Sequence, residues 1–148
     1  MSHIRHSGGF TLVELLVASS LIVLLAAGGL LLLHPKRYDM DERNAARRIG
    51  MAQIMQGVES YEAHTGNVPS GLSGNWQFIG SISGELNLCP LLVPTYLKQL
   101  PVDPLLGRPS GCGANTQYIS GYAMKKNSNG RLVIKALAAE GMTIQLQQ

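Results

Sequence analysis

The sequence predicts an α+β protein: a long N-terminal helix, apolar in its first half and amphipathic in its second, packed on a small C-terminal antiparallel β-sheet. Three observations lead there. Apolar residues form an uninterrupted run over residues 10–33. Residues 38–63 then repeat apolar side chains at helical spacing. Residues 118–147 alternate apolar and polar side chains between turn-forming clusters. A chain of 148 residues has room for such an anchor and one modest domain.

The apolar run comes first. Residues 15–33 carry no charge and only Ser19 and Ser20 as polar groups. Counted from Phe10 the run is about 36 Å of helix at roughly 1.5 Å per residue, enough to cross a hydrocarbon core about 30 Å thick with some tilt. A cleaved secretory signal has a shorter apolar core followed by a small-residue cut site. Here the only such site, around Ala26–Gly29, falls inside the run, so a retained helix is expected. His34 and Pro35 end the apolar run, because proline removes a helix hydrogen bond. Gly28 and Gly29 are the weak point within it.

The amphipathic stretch follows. Met51, Ile54, Met55, Val58 and Tyr61 define one stripe, adjoined by Ala45, Ile49 and Ala52, and this stripe is expected to face the sheet. Arg47, Gln53 and Gln56 are expected on the solvated face. Gly66 stops the helix. Residues 66–87, rich in glycine and serine, read as a long loop with one short strand at residues 76–79. For Trp76 two placements stand open, a contact with a neighbouring molecule and burial in the core. The prolines at 101, 104 and 109 forbid a long helix, leaving a helical turn at residues 95–100 and then turns. Asp103, just before Pro104, is read as a turn residue that engages nearby backbone amides. Three strands close the chain, at residues 118–124, 131–138 and 142–147.

The N-terminus carries the functional signal. A short polar leader with one fixed side-chain charge, Arg5, precedes GGFTLVELLV at residues 8–17. Glu14 lies inside the apolar run, where a carboxylate is costly. This combination resembles the cleavage and methylation motif of type IV pilins and the pseudopilins of type II secretion. The resemblance extends to YEAHTGNVPS (residues 61–70) and to PTYLKQLPVDP (residues 94–104). It implies a type IV pilin-like fold, divided into a leader (1–9), a membrane or filament-core helix (10–34), an amphipathic helix (35–65) and a head (66–148).

By that resemblance Gly9–Phe10 is the bond cut by a prepilin peptidase, and Phe10 is the new, N-methylated terminus. Glu14 would pair with the terminal amine of a neighbouring subunit and fix the register of the assembly. The implied partners are other pilin subunits, the prepilin peptidase, an assembly platform and the lipid bilayer. The chain would cross the inner membrane once with its head outside the cytoplasm, then enter an extracellular or periplasmic filament. Lys36 and Arg37 outnumber Arg5 and argue against that orientation, which therefore rests on the resemblance. In an exported head, Cys89 and Cys112 meet an oxidising compartment, and a disulfide between them is expected over two free thiols.

Other classes find little support. The net charge is +3, and Arg43, Arg47 and Arg48 lie among Asp39, Asp41 and Glu42, which reads as a solvated helix surface. Direct nucleic-acid binding is not expected from that pattern. No cysteine–histidine cluster has zinc spacing, and no phosphate-binding loop or nucleophile motif occurs, so neither an enzyme nor a cofactor is expected. The major secretion pseudopilins that the chain resembles carry an acidic calcium-binding loop near this end, but the turn at Asn127, Ser128 and Asn129 lacks an aspartate, so no calcium site is expected there. That departure favours a pilus subunit over a secretion pseudopilin. A single-span anchored binding module is the alternative from another class.

Overall fold

The computed structural model describes residues 9–32, 35–108, 111–113 and 116–147. The leader before Gly9 and the junction at His34 lie outside the described residues. The chain divides into two compact units, Met1–Asp39 and Met40–Gln148.

The first unit is built on α1, Leu12–Leu32. Its residues 12–29 form the one span among the described residues long and apolar enough to cross a membrane, with a mean hydropathy of 2.2. None of that span is buried by the protein itself. A soluble monomer rarely exposes so large an apolar surface, so this helix requires lipid or other helices around it. Its two serines return their hydroxyls to the helix. Ser19 Oγ donates to the Leu16 carbonyl at 3.0 Å and Ser20 Oγ to that of Val17 at 2.8 Å. Neither serine hydroxyl is left to be satisfied by water.

The second helix, α2, spans Pro35–Thr65. Proline is favourable in the first turn, where its missing N–H would be unpaired anyway. Gly66, at φ 71°, closes the helix by donating to the Glu62 carbonyl at 2.8 Å. Four strands follow, β1 (Gln77–Gly80), β2 (Ile119–Lys126), β3 (Leu132–Ala136) and β4 (Gln145–Gln147). They form one antiparallel sheet in chain order. Met124 pairs with Ile134 and Ile134 with Leu146, so their side chains share the inner face.

Met51, Ile54, Met55 and Val58 of α2 are buried in one core with Ile79, Tyr122, Met124, Leu132 and Ile134 of the sheet. The expected stripe is therefore the packed face, with Tyr61 at its margin. Ala45, Ile49 and Ala52 do not adjoin it. They are exposed, Ile49 by 61%, because each lies beyond the arc that the sheet covers. Gly50 and Gly57 instead hold the buried positions beside the stripe. A Cβ on Gly50 would come within 2.8 Å of the Tyr122 hydroxyl, and one on Gly57 within 3.0 Å of Leu97. Their helix cost is offset by that close approach.

The segment between β1 and β2 departs from expectation. Its helical turn is α3 at Cys89–Leu92, not at residues 95–100. Val93 precedes Pro94, and the proline ring disfavours helical backbone there, so α3 stops at Val93 with ψ 133°. The Tyr118 hydroxyl accepts from the Leu88 and Cys89 amides at 3.1 and 3.4 Å and donates to Asn87 Oδ1 at 3.1 Å, which caps α3 from outside. Burial raises the Tyr118 pKa above its ordinary value. Tyr96 then packs edge-on against Tyr61 and His64 of α2. Cys89 and Cys112 are joined by a disulfide with their Cα atoms 5.3 Å apart.

Candidate functional site: the N-terminal segment

Gly9, Phe10 and Thr11 precede the first turn of α1 in non-helical backbone. Phe10 is 86% exposed, and a Cβ added to Gly9 would meet nothing within 4 Å. The fold itself therefore makes no demand for glycine at position 9.

Glu14 occupies the third position of the helix, and its carboxylate turns back to the chain start. Glu14 Oε2 accepts from the Thr11 amide at 2.9 Å and from the Thr11 hydroxyl at 2.8 Å. The Glu14 amide donates to Thr11 Oγ1 at 3.2 Å. This is a capping box, in which two unpaired helix-start amides are satisfied reciprocally. Sequence reasoning assigned Glu14 an intermolecular role and missed this local one. The signal was legible as threonine, two residues, then glutamate before an apolar run. Both Thr11 bonds fall on Oε2, which leaves Oε1 of Glu14 open to a further donor.

Far from this segment in sequence, the head holds a polar cluster that sequence reasoning also misplaced. Arg47 is not on a solvated face: it is fully buried. Its Nε donates to Asp103 Oδ2 at 2.8 Å, and its Nη1 donates to Asn44 Oδ1 at 2.8 Å and Glu140 Oε2 at 3.2 Å. Arg43 meets Glu140 at 2.7 Å from outside, so Arg43 and Arg47 of α2 are both partnered by carboxylates distant in sequence. Asp103 accepts from the Leu105 and Leu106 amides at 2.8 and 3.1 Å, the turn role expected of it, and is 1% exposed.

Burial pushes the Asp103 carboxyl up. Hydrogen bonds from Arg47 and the two amides, with the guanidinium charge, more than reverse this and leave its pKa below the ordinary value. Bonds from Arg43, against some desolvation and helped by Arg47, hold Glu140 at about 2. Burial, with Asp103 nearby, pushes Tyr122 up to about 12. The cluster ties α2 to the turn at Asp103 and to the β3–β4 connection. Its groups engage one another and present no reactive arrangement. Among the described residues, no group of three histidine, cysteine or acidic side chains is placed to hold a metal.

The N-terminal segment therefore combines an exposed glycyl bond, a capped helix start with one carboxylate oxygen to spare, and an apolar helix without cover. Residues 4–30 match the family model of the prokaryotic N-terminal methylation motif. The chain carries the prepilin-type signal of type IV pilins and pseudopilins. No curated protein and no solved structure matches it. The α+β architecture agrees with a pilin-like chain: an apolar N-terminal helix, a second helix and a small antiparallel sheet. A motif of this kind supports a protein of the type IV pilin or pseudopilin class, and the apolar first helix is consistent with membrane anchoring.

Proposed function

We propose that this chain is a structural subunit of a type IV pilus-like filament. It is inserted in the inner membrane with its head outside the cytoplasm. A prepilin peptidase cuts Gly9–Phe10 and methylates the Phe10 amine, and packing of the apolar helices draws the subunits into the filament. The observation that carries this reading is the motif match over residues 4–30, coupled to an apolar helix with no cover in its own chain. A type II secretion pseudopilin would share every one of these features. The Asn127–Asn129 turn, with no aspartate, favours the pilus subunit.

Glu14 has two roles in this reading. Its Oε2 caps its own helix, and its Oε1 accepts from the methylated amine of a neighbour. Two charges that are each costly in a low dielectric offset one another when paired, which sets the stagger between subunits. Because the folded chain leaves open space at Gly9, the need for glycine there belongs to the peptidase.

Two measurements test this. The intact mass of protein extracted from membranes is expected to begin at N-methylated Phe10; a chain retaining its leader would instead be a plain anchored binding module. Filament yield at matched membrane levels tests Glu14. Glu14→Gln keeps the capping geometry and loses the charge, so it is expected to insert normally and assemble poorly. Wild-type yield from Glu14→Gln would show that the carboxylate serves only as a cap.

A further inference from the structure

The sheet has a second face, which α2 does not cover. Phe78 pairs with Ala123, Ala123 with Lys135, and Lys135 with Gln145, so these four share that face. Lys125, two residues from Ala123, lies on it with its partner Val133 and, beyond that, Gln147. Trp76 joins them from just before β1. The Nζ of Lys125 is 4.8 Å from the centre of its ring and that of Lys135 is 4.3 Å away. No carboxylate lies in these cross-strand rows, and neither lysine is in an ion pair among the described residues.

We propose that this face is a binding site for single-stranded nucleic acid, with Trp76 and Phe78 as stacking platforms and Lys125 and Lys135 as phosphate contacts. Three features favour that ligand. First, two ammonium ions gathered on one ring, no more than about 9 Å apart, repel each other and are relieved by a polyanion. Second, Trp76 is half-buried and Phe78 is 55% exposed, so both rings are anchored yet reachable. Third, two positions along a strand separate side chains by roughly 7 Å, a spacing that an extended single strand meets with successive unstacked bases. Exposed cation–π contacts are weak, so the lysines swing from the ring to phosphates as a base arrives. Gln145 adds an amide at the far end of the row that carries Phe78. In the sequence these residues are some fifty positions apart; only the sheet brings aromatic and basic groups together. The site stands on the head alone and does not depend on processing or assembly.

The test uses the full chain in neutral detergent micelles, with anisotropy of a labelled short oligothymidylate and the emission of Trp76, the one tryptophan of the chain, read together. Saturable binding with quenching of Trp76 is expected. Two phosphate contacts on a single strand predict a loss of affinity of roughly sevenfold between about 50 and 200 mM salt. Lys125→Gln with Lys135→Gln is expected to remove most of that salt dependence. Phe78→Ala is expected to weaken binding about fivefold or more while the salt dependence stays. Absence of binding would overturn the proposal. So would heparin quenching Trp76 as strongly as the oligonucleotide with Phe78→Ala inert, which would mark a merely cationic surface. Binding to phosphatidylglycerol vesicles with the oligonucleotide ignored would assign the face to a membrane and equally overturn it.

Discussion

Replacing Arg47 with methionine should unfold the head long before it disturbs the anchor. The guanidinium and the Asp103 carboxylate are each fully buried, 2.8 Å apart. Removing one partner strands a charge in a low dielectric, which costs about 3–5 kcal/mol. Asp103 keeps its bonds from the Leu105 and Leu106 amides, so the lower end, about 3 kcal/mol, is expected. For a domain of about 100 residues each kcal/mol moves Tm by roughly 4–8 °C, giving a fall of about 12–24 °C. Trp76 lies in the head and reports its unfolding by emission, even in micelles where α1 keeps a helical signal. Arg47→Met combined with Asp103→Asn removes both charges while the asparagine still accepts from the turn amides. That double variant is expected to melt above Arg47→Met alone. A shift below about 4 °C for Arg47→Met, or a double variant that simply adds the two single losses, would refute the reasoning, because it would mean the pair is not coupled.

The same cluster sets a pH dependence. Asp103 and Glu140 have folded pKa values below their unfolded ones, so their contribution is present above about 4.5 and is lost as pH falls, for Glu140 toward about 2; acid titration of Tm should show that loss. Tyr122 has the opposite sign: raised to about 12 from 10.0, it contributes fully below pH 10 and loses that contribution above it, which alkaline melting should detect. Reducing the Cys89–Cys112 bridge, which spans 23 positions, should cost about 3 kcal/mol on the chain-entropy estimate, and thiol labelling of the denatured, unreduced protein should find no free thiol. Gly121→Ala should lower Tm, since φ is 79° and the new Cβ would fall 2.5 Å from that of Asp103; an unchanged Tm would mean that the turn at Asp103 does not hold against β2.

What the sequence made legible was whatever a short window can hold. The apolar run shows itself by composition, the stripe from Met51 to Val58 by its period, and the prepilin-type signal by spacing within ten residues. The capping box is of the same kind, Thr11 and Glu14 three positions apart at the start of an apolar run. Arg47 shows a different limit. On a helical wheel it falls within the apolar stripe, four residues before Met51 and seven before Ile54, yet a window cannot see that Asp103 and Glu140, 56 and 93 positions away, will meet it in the interior. The spacing pointed inward and the residue type pointed to solvent; the partners that decide between them lie outside any window. The sheet's outer face is hidden for the same reason. Trp76, Lys125 and Lys135 carry no signal until β1, β2 and β3 are in register. Under the proposed function the chain divides along this line. The part that a peptidase and neighbouring helices would read is encoded in contiguous residues, because such partners would meet it as an extended segment or a single helix. The head meets its partners as a surface, so its specificity is written in residues that only folding brings together. Variants of Glu14 should therefore act on assembly and leave the sheet face unchanged. Those of Lys125 and Lys135 should alter ligand binding and leave filament yield at the wild-type level.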